Sequence, residues 1–294
     1  MSLFKLISKL FGSLFGEKED TTLTTTTTER VNGTIQKKAL CIGINDYKGT
    51  NNDLNGCVND AKGWKKMLKE NYGFDSIKML LDSDATKANV LREMSKLIKE
   101  AQNGDTVVIT YSGHGSSVAD KNGDEADGKD ETLFLYNGHL IDDKIRETIA
   151  KKVSGVKLVM IFDSCHSGTA TRSFISTMSD DSFYTKPRYM PPHDDIEAVV
   201  LNAIPIRKKI FYEDDMNHIL ITGCLSTEYS YDARFNGKSM GAFSHYALLI
   251  LKDNPNITYN DFYKKLKIML PSDKYPQTPQ LEGPKKDKNK VMFK

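Results

Sequence analysis

Two short stretches hold the residue types that nucleophilic catalysis needs: Ser112-Gly113-His114-Gly115 and Asp163-Ser164-Cys165-His166-Ser167-Gly168. A thiol is a weak nucleophile until it is deprotonated, and a neighbouring imidazole can take that proton. Each stretch closes an apolar run, Val107-Val108-Ile109-Thr110-Tyr111 in the first case and Val156 to Phe162 in the second. Runs rich in β-branched residues and ended by Gly read as buried strands. In an open α/β sheet, reacting groups collect at the carboxyl ends of strands. His114 and Cys165 are therefore expected to meet at one sheet edge, as base and nucleophile. The backbone N–H groups of Gly115 and Cys165 are the candidate donors to an oxyanion. A single buried Cys or a single loop His would more often be structural. It is the pair, each at a strand end, that carries the chemistry.

The elements that must position them alternate. Strands are expected over 39–44, 77–81, 106–111, 156–162 and 218–222, and helices over 59–70, 86–101, 142–152, 241–251 and 258–270. Ala61, Trp64, Met67 and Leu68 share one helical face, as do Val90, Met94, Leu97 and Ile98. Thr258 is the expected N-cap of the last helix, with Ile257 and Phe262 as its hydrophobic staple. This order implies an α/β fold, a mainly parallel sheet sandwiched by helices.

Composition is that of an ordinary globular chain: 294 residues, 39% hydrophobic, 27% charged, with a formal net charge of +2. No global field argues for a nucleic-acid partner. The four cysteines are too few for a disulfide framework, and no CxxC pair suggests a zinc site. Cys41 and Cys224 read as small core residues. Residues 1–16 place apolar side chains at helical spacing with Lys5 and Lys9 between them. They are too short and interrupted to span a bilayer and lack a secretory pattern, which implies a cytoplasmic protein. Either this amphipathic helix touches a membrane or partner, or it docks on its own domain. The Thr-rich stretch 17–36 is a linker, so the folded domain is expected over 37–294. Within it, an irregular stretch over 173–216, with four prolines, divides a large part (37–172) from a small part (217–294).

The ordered motifs resemble the metacaspases and the related bacterial orthocaspases, within the caspase-like cysteine peptidases. The matching stretches are Ala39 to Tyr47, Leu54 to Ala61, Tyr111 to Gly115, Gly123 to Glu131, Phe162 to Gly168, Gly241 to Ser244 and Pro276 to Leu281. The resemblance implies a caspase-like fold, with His114 as general base and Cys165 as nucleophile. It also implies a substrate pocket containing Cys57, Asp60, Ser112 and Asp163. Two carboxylates facing one side chain favour a cation through charge-assisted bonds. The expected activity is therefore cleavage of protein or peptide substrates after Arg or Lys, and not after Asp. A monomer is the state implied.

The chemistry itself requires no cofactor. Calcium is implied as an activator, with Asp130, Asp142 and Asp143 matching the family's calcium region. The further carboxylate that the family carries shortly after the nucleophile has no counterpart in 166–178. A solvated acidic loop, with Asp142 capping the following helix, is the other reading. Lys186, Arg188, Arg207, Lys208 and Lys209 lie in the irregular stretch, where self-processing would separate the two parts. Two other functions compete: a caspase-fold scaffold that binds through its N-terminal helix, and a different Cys–His acyl-transfer enzyme such as an amidase.

Overall fold

The computed structural model describes residues 34–119, 129–165, 184–191 and 216–294. The expectations for residues 1–33 lie outside the described residues. Residues Ile35–Lys294 form one compact unit.

Its frame is a six-stranded sheet in the order β12-β9-β7-β3-β1-β2. The strands are β1 (Lys37–Gly43), β2 (Ser76–Leu81), β3 (Thr106–Ser112), β7 (Lys157–Asp163), β9 (Ile219–Thr222) and β12 (Gln280–Glu282). All pair in parallel except β12, which runs antiparallel to β9. Successive side chains of a strand face opposite sides, and here both sides are covered. Ala39, Cys41, Val108, Val159 and Ile161 face one apolar cluster. It is completed by Ala61, Trp64 and Leu68 of helix α1 (Cys57–Tyr72), Phe243 and Leu251 of α4 (Ala242–Asp253), and Phe262 and Leu266 of α5 (Tyr259–Met269). Leu40, Ile42, Val107, Ile109, Leu158 and Met160 face the other cluster. There they meet Val90, Met94 and Ile98 of α2 (Lys87–Glu100) and Ile145 and Ile149 of α3 (Asp142–Ile149). Thr258 caps α5, accepting the Asp261 N–H at 3.1 Å.

The alternation of strand and helix marks this frame well, but shorter strands escape it. A small antiparallel sheet joins β4 (Gly115–Ala119), β5 (Lys129–Leu135) and β6 (Gly138–Ile141). A second joins β8 (Thr185–Pro187), β10 (Tyr231–Phe235) and β11 (Lys238–Gly241). Strand β8 corrects the reading of 173–216 as wholly irregular. Pro187 hid it, because a proline is tolerated only where a strand has an unpaired edge. No helix among the described residues is long and apolar enough to cross a membrane.

Candidate active site

Adjacent strands β3 and β7 end together, with Ser112 opposite Asp163 in register. His114 and Cys165 therefore each follow two residues beyond matched positions, at the carboxyl edge of the sheet. Gly115 follows directly, and only glycine fits there: an added Cβ would lie 1.5 Å from the Cys165 carbonyl oxygen.

His114 is fully buried, and its ring packs on Tyr47 with centroids 4.7 Å apart. Its Nε2 lies 2.6 Å from the Asn52 carbonyl oxygen. A carbonyl can only accept, so the bond assigns the ring proton to Nε2. Burial holds the imidazole's pKa down to about 4 despite the pull of that carbonyl. The ring is thus neutral near pH 7, with an unprotonated Nδ1 that has no hydrogen-bond partner among the described residues. Backbone bonds fix the residue in place. The Tyr47 hydroxyl accepts the His114 N–H at 2.7 Å, and the Tyr111 hydroxyl donates to its carbonyl at 2.7 Å.

Cys165 is also buried. Its Sγ accepts the Ser230 N–H at 2.8 Å, and the thiol donates to the Ser230 carbonyl oxygen at 3.3 Å. The described contacts include no direct hydrogen bond between Cys165 and His114. Cys224, expected to be an ordinary core residue, lies beside Cys165. That thiol neighbour is the first cause holding the Cys224 pKa well above its ordinary value, with burial second.

Arg188 runs through this site. Its side chain is fully buried, which for an arginine demands partners. Nη2 donates to Asp60 Oδ2 at 2.6 Å and to Asp232 Oδ1 at 3.0 Å. Nη1 lies 3.1 Å from Asp163 Oδ2 and donates to the Asp163 carbonyl at 3.2 Å. The Arg188 carbonyl oxygen accepts two N–H groups, from Gly115 at 2.9 Å and Cys165 at 3.2 Å. Its own N–H donates to the Ser230 carbonyl at 2.8 Å, extending the β8–β10 pairing. The three acids are anchored in turn. Asp60 accepts the Gly241 N–H, Asp163 accepts Ser244 N–H and Oγ–H, and Asp232 accepts the N–H groups of Asn55 and Gly56.

One guanidinium among three carboxylates leaves excess negative charge in a dry site. Burial pushes Asp60 up to about 7, with Asp163 and Asp232 adding to the push and Arg188 opposing it. Cys57 lies in the same field. Burial holds its thiol pKa well above the usual value, and Arg188 pulls it down.

The structure thus brings His114, Cys165, Gly115, Asp60 and Asp163 around one residue, with Cys57 within electrostatic reach. Ser112 is buried at the end of β3, but no described contact joins its hydroxyl to Arg188. Asp142 and Asp143 are elsewhere, at the start of α3, where Arg146 pairs with both. Asp142 is the first helical residue and not the N-cap, which is Ile141. The side chain of Asp130 lies outside the described residues. Among the described residues no group of three His, Cys, Asp or Glu side chains could hold a metal ion, and the expected calcium region lies partly outside those residues.

Sequence reasoning missed Asp232, Ser230 and Asn52, and named Arg188 as one of five bases at which self-processing was expected, without its buried seat among carboxylates. Asn52 acts through its carbonyl, which no side-chain pattern reveals. Asp232 is a carboxylate in an otherwise apolar run, Tyr231-Asp232-Ala233, and that was its available signal.

Comparison with known proteins gives the family. The family model described as metacaspase, peptidase C14 domain, matches residues 37–173. Metacaspase-1B of Aspergillus fumigatus is 32% identical over 287 residues, spanning 84% of this chain and 69% of that protein. The chain belongs to the metacaspase family. Metacaspases are cysteine-type peptidases, hydrolases that act on protein substrates. Metacaspase-1 of Debaryomyces hansenii is 32% identical, and this chain spans 64% of its length. Metacaspase-1 of Schizosaccharomyces pombe is 31% identical, and 67% of it is spanned. A crystal structure of protein GSU0716 from Geobacter sulfurreducens is similar with a TM-score of 0.66 at 27% identity, covering 88% of this chain and 98% of that one.

Proposed function

We propose that this metacaspase cleaves after Arg or Lys with Cys165 as nucleophile and His114 as base, and that one of its substrates is its own Arg188–Tyr189 bond. The observation that supports this reading is the seating of Arg188, with its guanidinium among Asp60, Asp163 and Asp232 and its carbonyl oxygen on two N–H groups. A substrate's basic residue needs the same two things, a counter-charged pocket and an oxyanion cradle at the reacting carbonyl.

In this reaction His114 Nδ1 takes the Cys165 thiol proton, and the thiolate sulfur attacks the Arg188 carbonyl carbon. The oxygen gains charge against the N–H groups of Gly115 and Cys165. The C–N bond to Tyr189 then breaks, and the leaving amine takes the proton from His114. Water, deprotonated by the same imidazole, hydrolyses the thioester and frees the Arg188 carboxylate. Asn52 holds the ring in the tautomer the first step needs.

No step needs a cofactor. Calcium enters this reading only as an activator at the acid-rich stretch 120–131, and rates in strong chelator against added calcium decide its part. Peptide substrates ending in Arg, Lys or Asp before a fluorophore test the specificity. Release from the Arg and Lys forms by wild type, and none by Cys165→Ala or His114→Ala, is expected. Preference for the Asp form would overturn it.

A further inference from the structure

The chain beyond Arg188 is held as firmly as Arg188 itself. Gly115 donates its N–H to the Arg188 carbonyl and accepts the Met190 N–H on its own carbonyl at 2.9 Å. This is a parallel bridge that brackets Tyr189. The Asn52 side-chain amide donates to the Tyr189 carbonyl at 3.2 Å and reaches Met190 Sδ at 3.7 Å. Burial then alternates as in an extended strand: Arg188 is buried, Tyr189 is half-buried beside Tyr229, and Met190 is 2% exposed. Met190 enters the apolar cluster that also contains Tyr47 and Leu54, two residues from the segment carrying Asn52.

We propose that this is a second specificity subsite, which takes an apolar side chain two residues after the cleaved bond. It rests on the reading of Arg188 as the residue before that bond. The groups that build it are not borrowed from the basic pocket. Gly115 supplies register, Asn52 supplies a polar grip on the intervening carbonyl, and the cluster supplies a dry wall. A charged side chain at this position would lose its hydration without a partner. Because Asn52 also carries the His114 contact, filling the subsite fixes the loop that orients the base.

Three peptides test it with the full chain. Thr-Lys-Pro-Arg amide of aminomethylcoumarin has no residue after the cut and reports the basic-pocket reading alone. Two internally quenched peptides, Thr-Lys-Pro-Arg-Tyr-Met-Pro and its Met-to-Asp counterpart, report the subsite. The Met peptide is expected to show a kcat/KM about tenfold or more above the Asp peptide, the size that burial of one such side chain supports. Equal values for the pair, with the coumarin amide cleaved, would overturn the subsite and leave the basic-pocket reading standing. Failure to cleave the coumarin amide and both peptides would overturn that reading and the subsite with it.

Discussion

Two groups of carboxylates in this protein each gather around one arginine, and they differ in access to water. Around Arg188, the side chains of Asp60, Asp163 and Asp232 are 0–1% exposed. Around Arg146, those of Asp142 and Asp143 are 31% and 38% exposed. In sequence only the second is visible as acids near a base, because the partners of Arg188 lie 25 to 128 residues from it. Screening makes the exposed group nearly worthless for stability, whereas each partner in the dry group is indispensable once the others are present. The dry group also draws on four parts of the chain, the first turn of α1, the end of β7, the residue after β8, and β10, whereas the exposed one is confined to a single short helix. The proposed recognition of a substrate's basic side chain rests on the first group.

Substitutions can break or sharpen that contrast. The largest effect is expected at Asp163, which holds Arg188, Ser230 and Ser244 at once. Asp163→Asn should lower kcat/KM on Arg substrates by about 100-fold or more, the scale of an unpaired buried charge. A fall of less than tenfold would place the recognition elsewhere. Asp232 comes next. It shares the Nη2 end of a planar fork, which a lysine ammonium cannot match geometrically. Asp232→Asn should lower Arg cleavage about tenfold and Lys cleavage less, so the Arg-to-Lys ratio of kcat/KM falls. An unchanged ratio would remove Asp232 from specificity.

The pH dependence of stability follows from Asp60, whose folded pKa is raised from 3.8 to about 7. Between those values the folded state holds a proton that the unfolded chain releases, so stability falls as pH rises from about 4 to about 7. His114 acts oppositely, since its folded pKa of about 4 lies below the ordinary 6.5. Denaturant unfolding of wild type and Asp60→Asn separates the two. The difference between them should change across that window and flatten outside it. The smallest effect is expected at the exposed group: Asp142→Asn and Asp143→Asn should each shift unfolding free energy by less than about 1 kcal/mol.

The contrast also explains how much of the molecule could be read in advance. The parallel frame was legible because β1, β3 and β7 are buried on both faces and read as continuous apolar runs. The strand ends were legible because Gly115 has no room for a side chain. Asp60 and Asp163 came from the family resemblance together with the chemistry of acids facing a cation. Strand β8 and the role of Arg188 were not legible. A three-residue edge strand carrying a proline has no periodicity, and a buried arginine looks like a surface one until its partners, far away in sequence, are brought to it. The helical spacing of Asp142 and Asp143 to Arg146 also gives them a partner that the acid-rich pattern alone does not show.

On the proposed reading, Arg188 sits in the site as a substrate's basic residue does. Intact-mass measurement of purified wild type beside Cys165→Ala tests it most directly. Wild type, under conditions where it cleaves Arg peptides, is expected to yield two pieces divided between Arg188 and Tyr189, while Cys165→Ala stays whole. An active wild type whose Arg188–Tyr189 bond remains intact would contradict it.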